Sequence, residues 1–339
     1  MAINFDGMVK KVIPLGNNEI DDSSYHHVAY GIDRNFLYGC GVSIVSLLMH
    51  NPHIQLAFHV FIDESMSDED ITKFTEICRL YNTKITIYFI DSNNVKKLPT
   101  TKNWTHAIYF RFIIAEYFKD KIDYLLYLDA DVACNHNIDE LLSLNLFSYV
   151  AAVVPERDEQ WWQKRADSLG FPFISKGYFN SGVMYINLQV WKANNVTEKS
   201  MALLMDNDVS HRLAYPDQDV LNILLTDSVL FISSIFNTQF SLNYELKKSF
   251  DFPVNPTTVF IHYVGPTKPW HEWACYETAQ PFLAAKTASP WRDVPLLKAK
   301  SSNHLRYCAK HSFKQKLYWR GIKSQVQYFL AKITKQFHG

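Results

Sequence analysis

The stretch YLLYLDAD at residues 124–131 joins five consecutive apolar residues to two carboxylates. A continuous apolar run of this length is typical of a strand that is buried on both faces of a parallel sheet. Ligands of such sheets bind beyond the carboxyl ends of the strands, where Asp129 and Asp131 are predicted to lie. Two carboxylates one residue apart can bind one hard divalent cation, Mg²⁺ or Mn²⁺. A solvent-exposed turn is the alternative, since D-x-D is a common tripeptide.

The chain before this stretch alternates short apolar runs with segments of helical apolar spacing. The predicted strands are 27–33, 57–63 and 85–90, and the predicted helices are 37–50, 67–81 and 109–118. Such alternation predicts an α/β protein with a mostly parallel sheet covered by helices. Asp33, Asp63 and Asp129 each end a predicted strand, so the first half of the chain predicts a nucleotide-binding unit.

The stretch HYVGPTKPW at residues 262–270 contains a second group of candidate site residues. His262 ends a predicted strand and is a candidate third metal ligand. Gly265 would let the backbone approach a phosphate closely, and Lys268 would place a point charge on a diphosphate. The alternative interpretation is a turn rich in Pro and Gly that carries one surface lysine and one half-buried histidine.

Two further polar segments begin predicted elements in the second half of the chain. They are YFNSG at 178–182 and YPDQD at 215–219. Compact polar side chains at these positions could bind sugar hydroxyls, because a carboxylate such as Asp217 accepts strong hydrogen bonds from hydroxyl groups. Capping of a helix N-terminus is the alternative role for Asp217.

Acidic and basic residues are equal in number, 34 each, but unevenly distributed. Residues 298–339 contain ten Lys or Arg and no Asp or Glu, which leaves 24 basic and 34 acidic residues in 1–297. The acidic body opposes a nucleic-acid partner, because phosphate binding requires a basic surface. The basic, aromatic-rich segment 291–339, helical from about residue 318, is expected to bind an anionic membrane surface. A solvent-exposed helix face is the alternative.

The five cysteines are scattered and contain no C-x-x-C, which argues against a disulfide framework and a structural zinc site. Residues 1–25 show neither periodicity nor a signal peptide and are predicted to form a leader without regular structure. Because no uncharged apolar run approaches the ~20 residues of a spanning helix, we expect a cytoplasmic protein.

Six segments, in this order along the chain, resemble family 8 of the retaining glycosyltransferases. They are AYGIDRN at 29–35, YFR at 109–111, LDAD at 128–131, FNSG at 179–182, DQD at 217–219 and HYVGPTKPW at 262–270. The resemblance covers roughly residues 26–290. The segments TTKNW at 100–104 and FSLNYELK at 240–247, with the basic tail, are most similar to bacterial enzymes that extend the outer core of lipopolysaccharide.

The resemblance implies a GT-A catalytic domain over residues 26–290 and a UDP-sugar donor. It implies that Asp129, Asp131 and His262 hold Mn²⁺ or Mg²⁺. The implied donor-binding residues are Tyr30, Gly31, Ile32, Asp33, Asn35, Phe36, Arg111, Asp129, Ala130, Asn180, Ser181, Asp217, Gln218, His262, Gly265 and Lys268. Among them, Asp33 and Asn35 would contact the uridine, and Phe36 would lie beside the uracil ring. Arg34 departs from the acid that some family members have at this position.

The implied roles divide the remaining site residues between the diphosphate and the hexose. Gly265 and Lys268 would hold the diphosphate, and Arg111 would face both the diphosphate and the donor sugar. Asn180, Asp217 and Gln218 would contact the transferred hexose. The candidate catalytic residues are Asp217, Gln218, Asp219 and Lys268.

The resemblance implies retaining transfer of a hexose from UDP-galactose, or UDP-glucose, in an α-linkage, 1,3 by overall similarity. The acceptor would be a hexose of the lipopolysaccharide core, and the enzyme would lie on the cytoplasmic face of the inner membrane. Retention permits a double displacement, with Gln218 or Asp219 as nucleophile, or a front-face route. We favour the front-face route because an amide is a poor nucleophile.

Two other enzymatic interpretations remain open at this point. One is a metal-dependent nucleotidyltransferase or phosphohydrolase acting on nucleotide sugars, which would also use paired aspartates and a lysine. The other is an α-1,2 core transferase that uses UDP-glucose.

Overall fold

A computed structural model describes residues 5, 7–16, 24–63, 66–93, 95–100 and 105–336, with side chains as far as Ile333. The TTKNW segment, apart from its first residue, and residues 337–339 of the basic tail lie outside the described residues.

In the part of the chain that the structure describes, eight strands form a main sheet and three form a smaller one. The strands are β1 Val9–Leu15, β2 His26–Ile32, β3 Leu56–Ile62, β4 Lys84–Ile90, β5 Tyr124–Leu128, β6 Val132–Cys134, β7 Ala151–Pro155, β8 Phe179–Asn187, β9 Val229–Phe231, β10 Thr238–Gln239 and β11 Phe260–His262. The main sheet has the order β1-β4-β3-β2-β5-β8-β7-β9, and the smaller sheet β10-β11-β6. Only β1 and β8 run against the other strands of the main sheet, which confirms the predicted, mostly parallel sheet.

Helices cover both faces of the main sheet. They are α1 Leu37–His50, α2 Asp68–Tyr81, α3 Phe110–Phe118, α4 Asp139–Leu142, α5 Glu159–Leu169, α6 Leu188–Ala193, α7 Val196–Met205, α8 Asn207–Ser210, α9 Pro216–Leu225, α10 Gln280–Ala288, α11 Ser302–Lys314 and α12 Tyr318–Gln336. One apolar core lies between the sheet and α1, α2 and α10, and a second lies under α3, α6, α7 and α9. Residues of β2 alternate between the two, because successive side chains of a strand point to opposite faces.

Local capping explains where individual helices begin. Ser67 caps α2: its hydroxyl accepts from the Asp70 N–H, and the Asp70 carboxylate accepts from the Ser67 N–H. This reciprocal pair satisfies two backbone donors that the first helical turn leaves unpaired. Pro216 begins α9, where its missing N–H costs no intrahelical bond.

The prediction of a leader without regular structure at residues 1–25 is wrong for Val9–Leu15. This segment is strand β1, which pairs antiparallel with β4 at the edge of the sheet. Lys10, Lys11 and Pro14 interrupt the apolar pattern by which a strand is recognised. Lysine and proline are nevertheless usual on edge strands, because one side of such a strand has no partner.

The C-terminal helices α11 and α12 pack on each other and on the loop that carries Lys268. His311 of α11 is fully buried, and its ring contacts the Tyr276 hydroxyl at 2.7 Å and Asn243 Oδ1 at 3.0 Å. The helical prediction for the tail is confirmed, while the division at residue 290 stays a prediction. Within the described residues, none of the helices combines the length and apolar character needed to cross a bilayer.

Candidate active site

The predicted site residues meet at one edge of the main sheet. Asp129 follows β5, and its N–H donates to the Gly182 carbonyl of β8 at 2.8 Å. Because β8 runs antiparallel to β5, the start of β8 lies at the same edge as the end of β5. The smaller sheet brings His262, at the end of β11, opposite Val132 in β6. Positions more than 130 residues apart in the sequence therefore share one site.

Asp129, Asp131 and His262 form a three-residue cluster whose possible ligand atoms all lie within 4.8 Å of one another. His262 Nε2 is 3.2 Å from Asp131 Oδ1 and 4.0 Å from Asp129 Oδ2. Asp131 and His262 are buried, while Asp129 is partly exposed. We call this cluster the metal triad. Two carboxylates and one imidazole are a donor set that suits Mg²⁺ or Mn²⁺.

Gly182 leaves the space that the metal triad occupies. A Cβ atom at this position would collide with His262 Cε1 and come within 2.7 Å of Asp129 Oδ2. The glycine of the FNSG segment is therefore required by the close approach of the two ligands, rather than by backbone conformation. Gly265 differs, since its φ of +90° is a conformation that favours glycine.

Two cations neutralise the carboxylates of the metal triad. Lys268 Nζ donates to Asp131 Oδ2 and, at 2.9 Å, to the Tyr263 carbonyl. Arg111 is buried, donates to Asp129 Oδ1 at 3.1 Å, and lies over the Tyr127 ring at 4.6 Å. Burial favours the neutral form of Asp131, but Lys268 and His262 outweigh it and hold the pKa of that carboxyl below its usual range.

Asp217 lies on the other side of Arg111, whose Nε is 3.1 Å from Asp217 Oδ2. Burial raises the pKa of Asp217 to about 6; Arg111 opposes this rise and Asp129 adds to it. The guanidinium also donates to the Ser181 carbonyl at 2.7 Å, and its contact with a donor stays a prediction. Arg111 therefore bridges the carboxylates of Asp129 and Asp217 through two ion pairs.

We expect Asp217 to make the protein less stable as the pH rises from about 4 to about 6. The unfolded carboxyl has a pKa near 3.9, so in this range the folded state binds the proton more strongly and stability is lost on ionisation. The free energy of unfolding, relative to that of Asp217→Asn, should fall by roughly 2 kcal/mol. Urea unfolding of both proteins across this pH range measures the difference, and a constant difference would contradict it.

A second cluster consists of Glu156, Asn180, Ser181, Asp217 and Gln218, and we call it the sugar-side cluster after the hexose contact predicted for three of its members. Gln218 Oε1 accepts from the Ser181 N–H at 3.1 Å, and Gln218 Nε2 donates to Glu156 Oε2 at 2.8 Å. Glu156 was not among the predicted residues, although Glu156 follows the apolar strand β7 at the same edge of the sheet. A carboxylate directly after a buried strand was the available signal.

The structure contradicts the prediction of Asp219 as a catalytic residue. Its carboxylate is fully buried, with Oδ1 accepting from the Tyr178 hydroxyl at 2.6 Å and Arg165 Nε at 3.0 Å. Its Oδ2 accepts from Arg165 and from the N–H groups of Ala214 and Tyr215. Asp219 therefore has no free oxygen. Neighbouring residues of a helix point about 100° apart, so adjacency to Gln218 does not place both in one site.

The predicted uridine-binding residues Asp33 and Asn35 follow directly after β2. Asp33, Asn35 and Asp63 line a cavity of about 280 Å³. Asp33 Oδ1 accepts from the Asn35 N–H at 2.8 Å, which sets the turn. Phe36 packs edge-on against Trp270, which lies in the loop that carries Lys268.

Some predicted donor-binding residues cannot use their side chains. Tyr30 and Ile32 are buried in the core, and the Tyr30 hydroxyl contacts Ser43 Oγ at 3.0 Å. Gly31 packs against Phe110, and Ala130 is almost fully buried. Any contact of these residues with a donor is therefore through the backbone. Successive side chains of β2 point to opposite faces of the sheet and therefore lie in the two apolar cores instead.

The family models that match the chain cover nearly all of the site. The Glycosyl transferase family 8 model matches residues 27–274, and the Glycosyl transferase family 8 C-terminal model matches residues 276–332. Among solved structures, the galactosyltransferase LgtC in complex with donor and acceptor sugar analogues has a TM-score of 0.67. It is 23% identical, and the match covers 79% of this chain and 99% of LgtC. This likeness confirms the GT-A fold.

Two curated relatives are 49% identical to this chain. The lipopolysaccharide 1,3-galactosyltransferase of Salmonella typhimurium (strain LT2) aligns over 97% of both chains. The lipopolysaccharide glucosyltransferase WaaO of Escherichia coli (strain K12) aligns over 90% of this chain and 91% of its own. A lipopolysaccharide 1,2-glucosyltransferase of Escherichia coli (strain K12) is 38% identical over 99% of this chain and 98% of its own. With the matching models, these relatives show that the chain belongs to glycosyl transferase family 8.

Proposed function

We propose that this enzyme transfers a hexose from UDP-galactose or UDP-glucose, with retention and in a 1,3-linkage, to a hexose of the lipopolysaccharide core. The observation that carries the proposal is the placement of the metal triad beside the sugar-side cluster at one edge of the sheet. The relatives support it, since two of them are lipopolysaccharide hexosyltransferases at 49% identity.

In this proposal the residues of the metal triad hold Mg²⁺ or Mn²⁺. A divalent ion there would offset the charge that develops on the diphosphate as UDP departs. Lys268 would add its own charge to the same group, since its ammonium has three donors and its bonds to Asp131 and the Tyr263 carbonyl use two of them. Arg111 keeps Asp129 and Asp217 in place through its two ion pairs.

The contacts of Gln218 and Asp219 support a front-face route. Asp219 has no free oxygen, and Gln218 Oε1 already accepts from Ser181 N and Asn180 Nδ2, at 3.1 and 3.2 Å. The acceptor hydroxyl would attack the anomeric carbon on the face that UDP leaves. Its proton would pass to the departing phosphate oxygen, so that no enzyme nucleophile is needed.

The donor and the linkage are tested together. The purified enzyme is incubated with Mn²⁺, a truncated lipopolysaccharide acceptor and labelled UDP-galactose or UDP-glucose. We expect release of UDP with transfer of galactose into a 1,3-linkage, established by methylation analysis. Transfer of glucose alone would identify UDP-glucose as the donor. A 1,2-linkage would contradict the 1,3 assignment. Release of UMP would identify a nucleotidyltransferase or phosphohydrolase and contradict the proposal.

The exposed face of α12 supports the proposed contact with an anionic membrane. Trp319, Ile322, Val326, Phe329 and Ile333 recur at intervals of three or four residues, and each is about half exposed or more. We call them the apolar stripe. It lies opposite the side that packs on α11, where Gly321 and Ser324 are buried. An amphipathic helix with basic residues beside its apolar face binds the interface of anionic bilayers.

Replacing Trp319 and Phe329 of the apolar stripe with Ser should weaken binding to phosphatidylglycerol-containing vesicles by about 10-fold or more. Full burial of one such side chain contributes about 1.5–3 kcal/mol. Flotation of the protein with vesicles measures the change. Phe147→Ser is the matched control, because Phe147 is as exposed as Trp319, 87% for each, but lies in the body. Equal loss in both variants would contradict the assignment to α12.

Deleting residues 298–339 would be a poorer experiment than these substitutions. The deletion removes His311, whose ring lies 3.3 Å from Thr267 Oγ1. Thr267 is the neighbour of Lys268 in the site. Loss of activity after the deletion would therefore not separate membrane binding from support of the Lys268 loop.

A further inference from the structure

A series of buried hydrogen bonds connects the metal triad to the sugar-side cluster. His262 Nδ1 is 3.0 Å from Asn237 Oδ1, and Asn237 Nδ2 is 3.0 Å from Asn180 Oδ1. Asn180 Nδ2 in turn is 3.1 Å from Glu156 Oε2. All four side chains are at most 8% exposed. We call this series the amide relay.

The contacts of Asn180 and Glu156 determine which atom donates in every hydrogen bond of the amide relay. The Gly182 N–H, which can only donate, points at Asn180 Oδ1 at 3.0 Å. This contact identifies that atom as the oxygen, so the Asn180 nitrogen must face Glu156. An ionised carboxylate only accepts, and Glu156 therefore favours the same orientation.

The fixed orientation of Asn180 determines the tautomer of His262. Since Asn180 Oδ1 accepts, Asn237 must present its nitrogen there and its oxygen to the histidine. His262 must then carry a proton on Nδ1, and Nε2 is the ring nitrogen that faces the two aspartates and remains for a metal ion. Metal-binding histidines are generally oriented by a partner of their other ring nitrogen.

We propose that Glu156 is a positioning residue that acts through Asn180 and Asn237 to hold His262 ready for a divalent ion. The same oxygen, Glu156 Oε2, accepts from Gln218 Nε2 at 2.8 Å and so orients the amide of the sugar-side cluster. One buried carboxylate thereby links the metal triad to the sugar-side cluster. The inference rests on the proposed function for the assignment of the metal triad.

The amide relay is tested without turnover, on the full-length protein. Binding of Mn²⁺ in the absence of donor is measured by calorimetry, and the His262 tautomer is read from ¹⁵N shifts of histidine-labelled, metal-free protein. We expect a protonated Nδ1 in the unsubstituted protein. Glu156→Leu should weaken Mn²⁺ binding by about 10-fold, the lower end of the range for outer partners of metal ligands, because the Gly182 N–H still holds Asn180. Glu156→Gln keeps one acceptor oxygen and should bind Mn²⁺ like the unsubstituted protein.

Asn187→Leu is the control for a purely structural effect. Asn187 is a buried amide at the opposite end of β8, where it caps α6. It should lower the Tm without changing Mn²⁺ affinity or the His262 spectrum. The double variant Glu156→Leu/Asn237→Leu should bind Mn²⁺ no more weakly than Asn237→Leu, because effects within one chain of contacts are not additive.

Three results would overturn the proposal. The first is an Nε2–H tautomer of His262, with Nδ1 unprotonated, in the unsubstituted protein. This measurement does not require any variant to fold. The second is unchanged Mn²⁺ affinity in Glu156→Leu together with a lowered Tm, which would make Glu156 structural only. The third is additive loss in the double variant. A failure of the proposed function is distinguishable, because it leaves Mn²⁺ binding and the tautomer as described while UDP-hexose is not consumed.

Discussion

Asp131→Asn should lower the rate of hexose transfer by about 10²-fold or more, the loss expected when preorganised charge stabilisation of a leaving group is removed. Asp131 is the most enclosed carboxylate of the metal triad and contacts both His262 and Lys268. The substitution removes a charged ligand and leaves the Lys268 ammonium without its carboxylate partner. Release of UDP, measured against Mn²⁺ concentration, should show a lower maximal rate and weaker dependence on the metal.

The control for Asp131→Asn is Asp139→Asn, which removes an equal charge at an exposed position. Asp139 pairs with His53 on the surface at the start of α4, away from the site. We expect its transfer rate to equal that of the unsubstituted enzyme. Normal, metal-independent turnover by Asp131→Asn would show that the triad does not hold a required ion.

Gly182→Ala should reduce Mn²⁺ affinity and transfer by about 10²-fold without removing any ligand. The added Cβ would collide with His262 Cε1 and approach Asp129 Oδ2 to 2.7 Å, closer than a real Cβ atom can lie. The two ligands must separate, and a displacement of about 1 Å at a catalytic site can cost about 10²-fold. Calorimetry with Mn²⁺ and the UDP-release assay measure the two losses.

The matched control for Gly182→Ala is Gly41→Ala, whose Cβ would collide with the Trp291 ring in the core between the sheet and α1. Both substitutions add one methyl group in a space already filled. We expect Gly41→Ala to lower the Tm and to leave Mn²⁺ affinity unchanged. If Gly182→Ala bound Mn²⁺ normally, the crowding at the metal triad would have no functional consequence.

The order of polar segments along the chain was enough to predict most of the site. Asp129 follows an apolar run, whose end lies at the ligand-binding edge of a parallel sheet. His262 ends a strand of the smaller sheet, so it was the family resemblance that placed it with Asp129. The structure places Lys268, Asn180, Asp217 and Gln218 around them, as the family resemblance implied. These positions could be predicted because each lies beside a helix or strand that its own local sequence pattern identifies.

The missed features depend on contacts between distant segments. Asp219 was predicted as catalytic, but Arg165, 54 residues earlier, occupies its carboxylate. Glu156 was not predicted, because its role comes from Asn180 and Gln218 on two other elements. Strand β1 was missed since its pairing with β4, rather than its own apolar pattern, makes it a strand.

The class of fold, the family and the three residues of the metal triad could all be predicted from the chain alone. These predictions follow from apolar runs, turn residues and ordered motifs, all of which are local in the chain. Folding was needed to show which carboxylates keep an oxygen for a ligand, which way the buried amides point and why residue 182 is glycine. The physical reason is that hydrogen-bond saturation and close approach are properties of side chains that meet across the sheet, and spacing along the chain does not encode them.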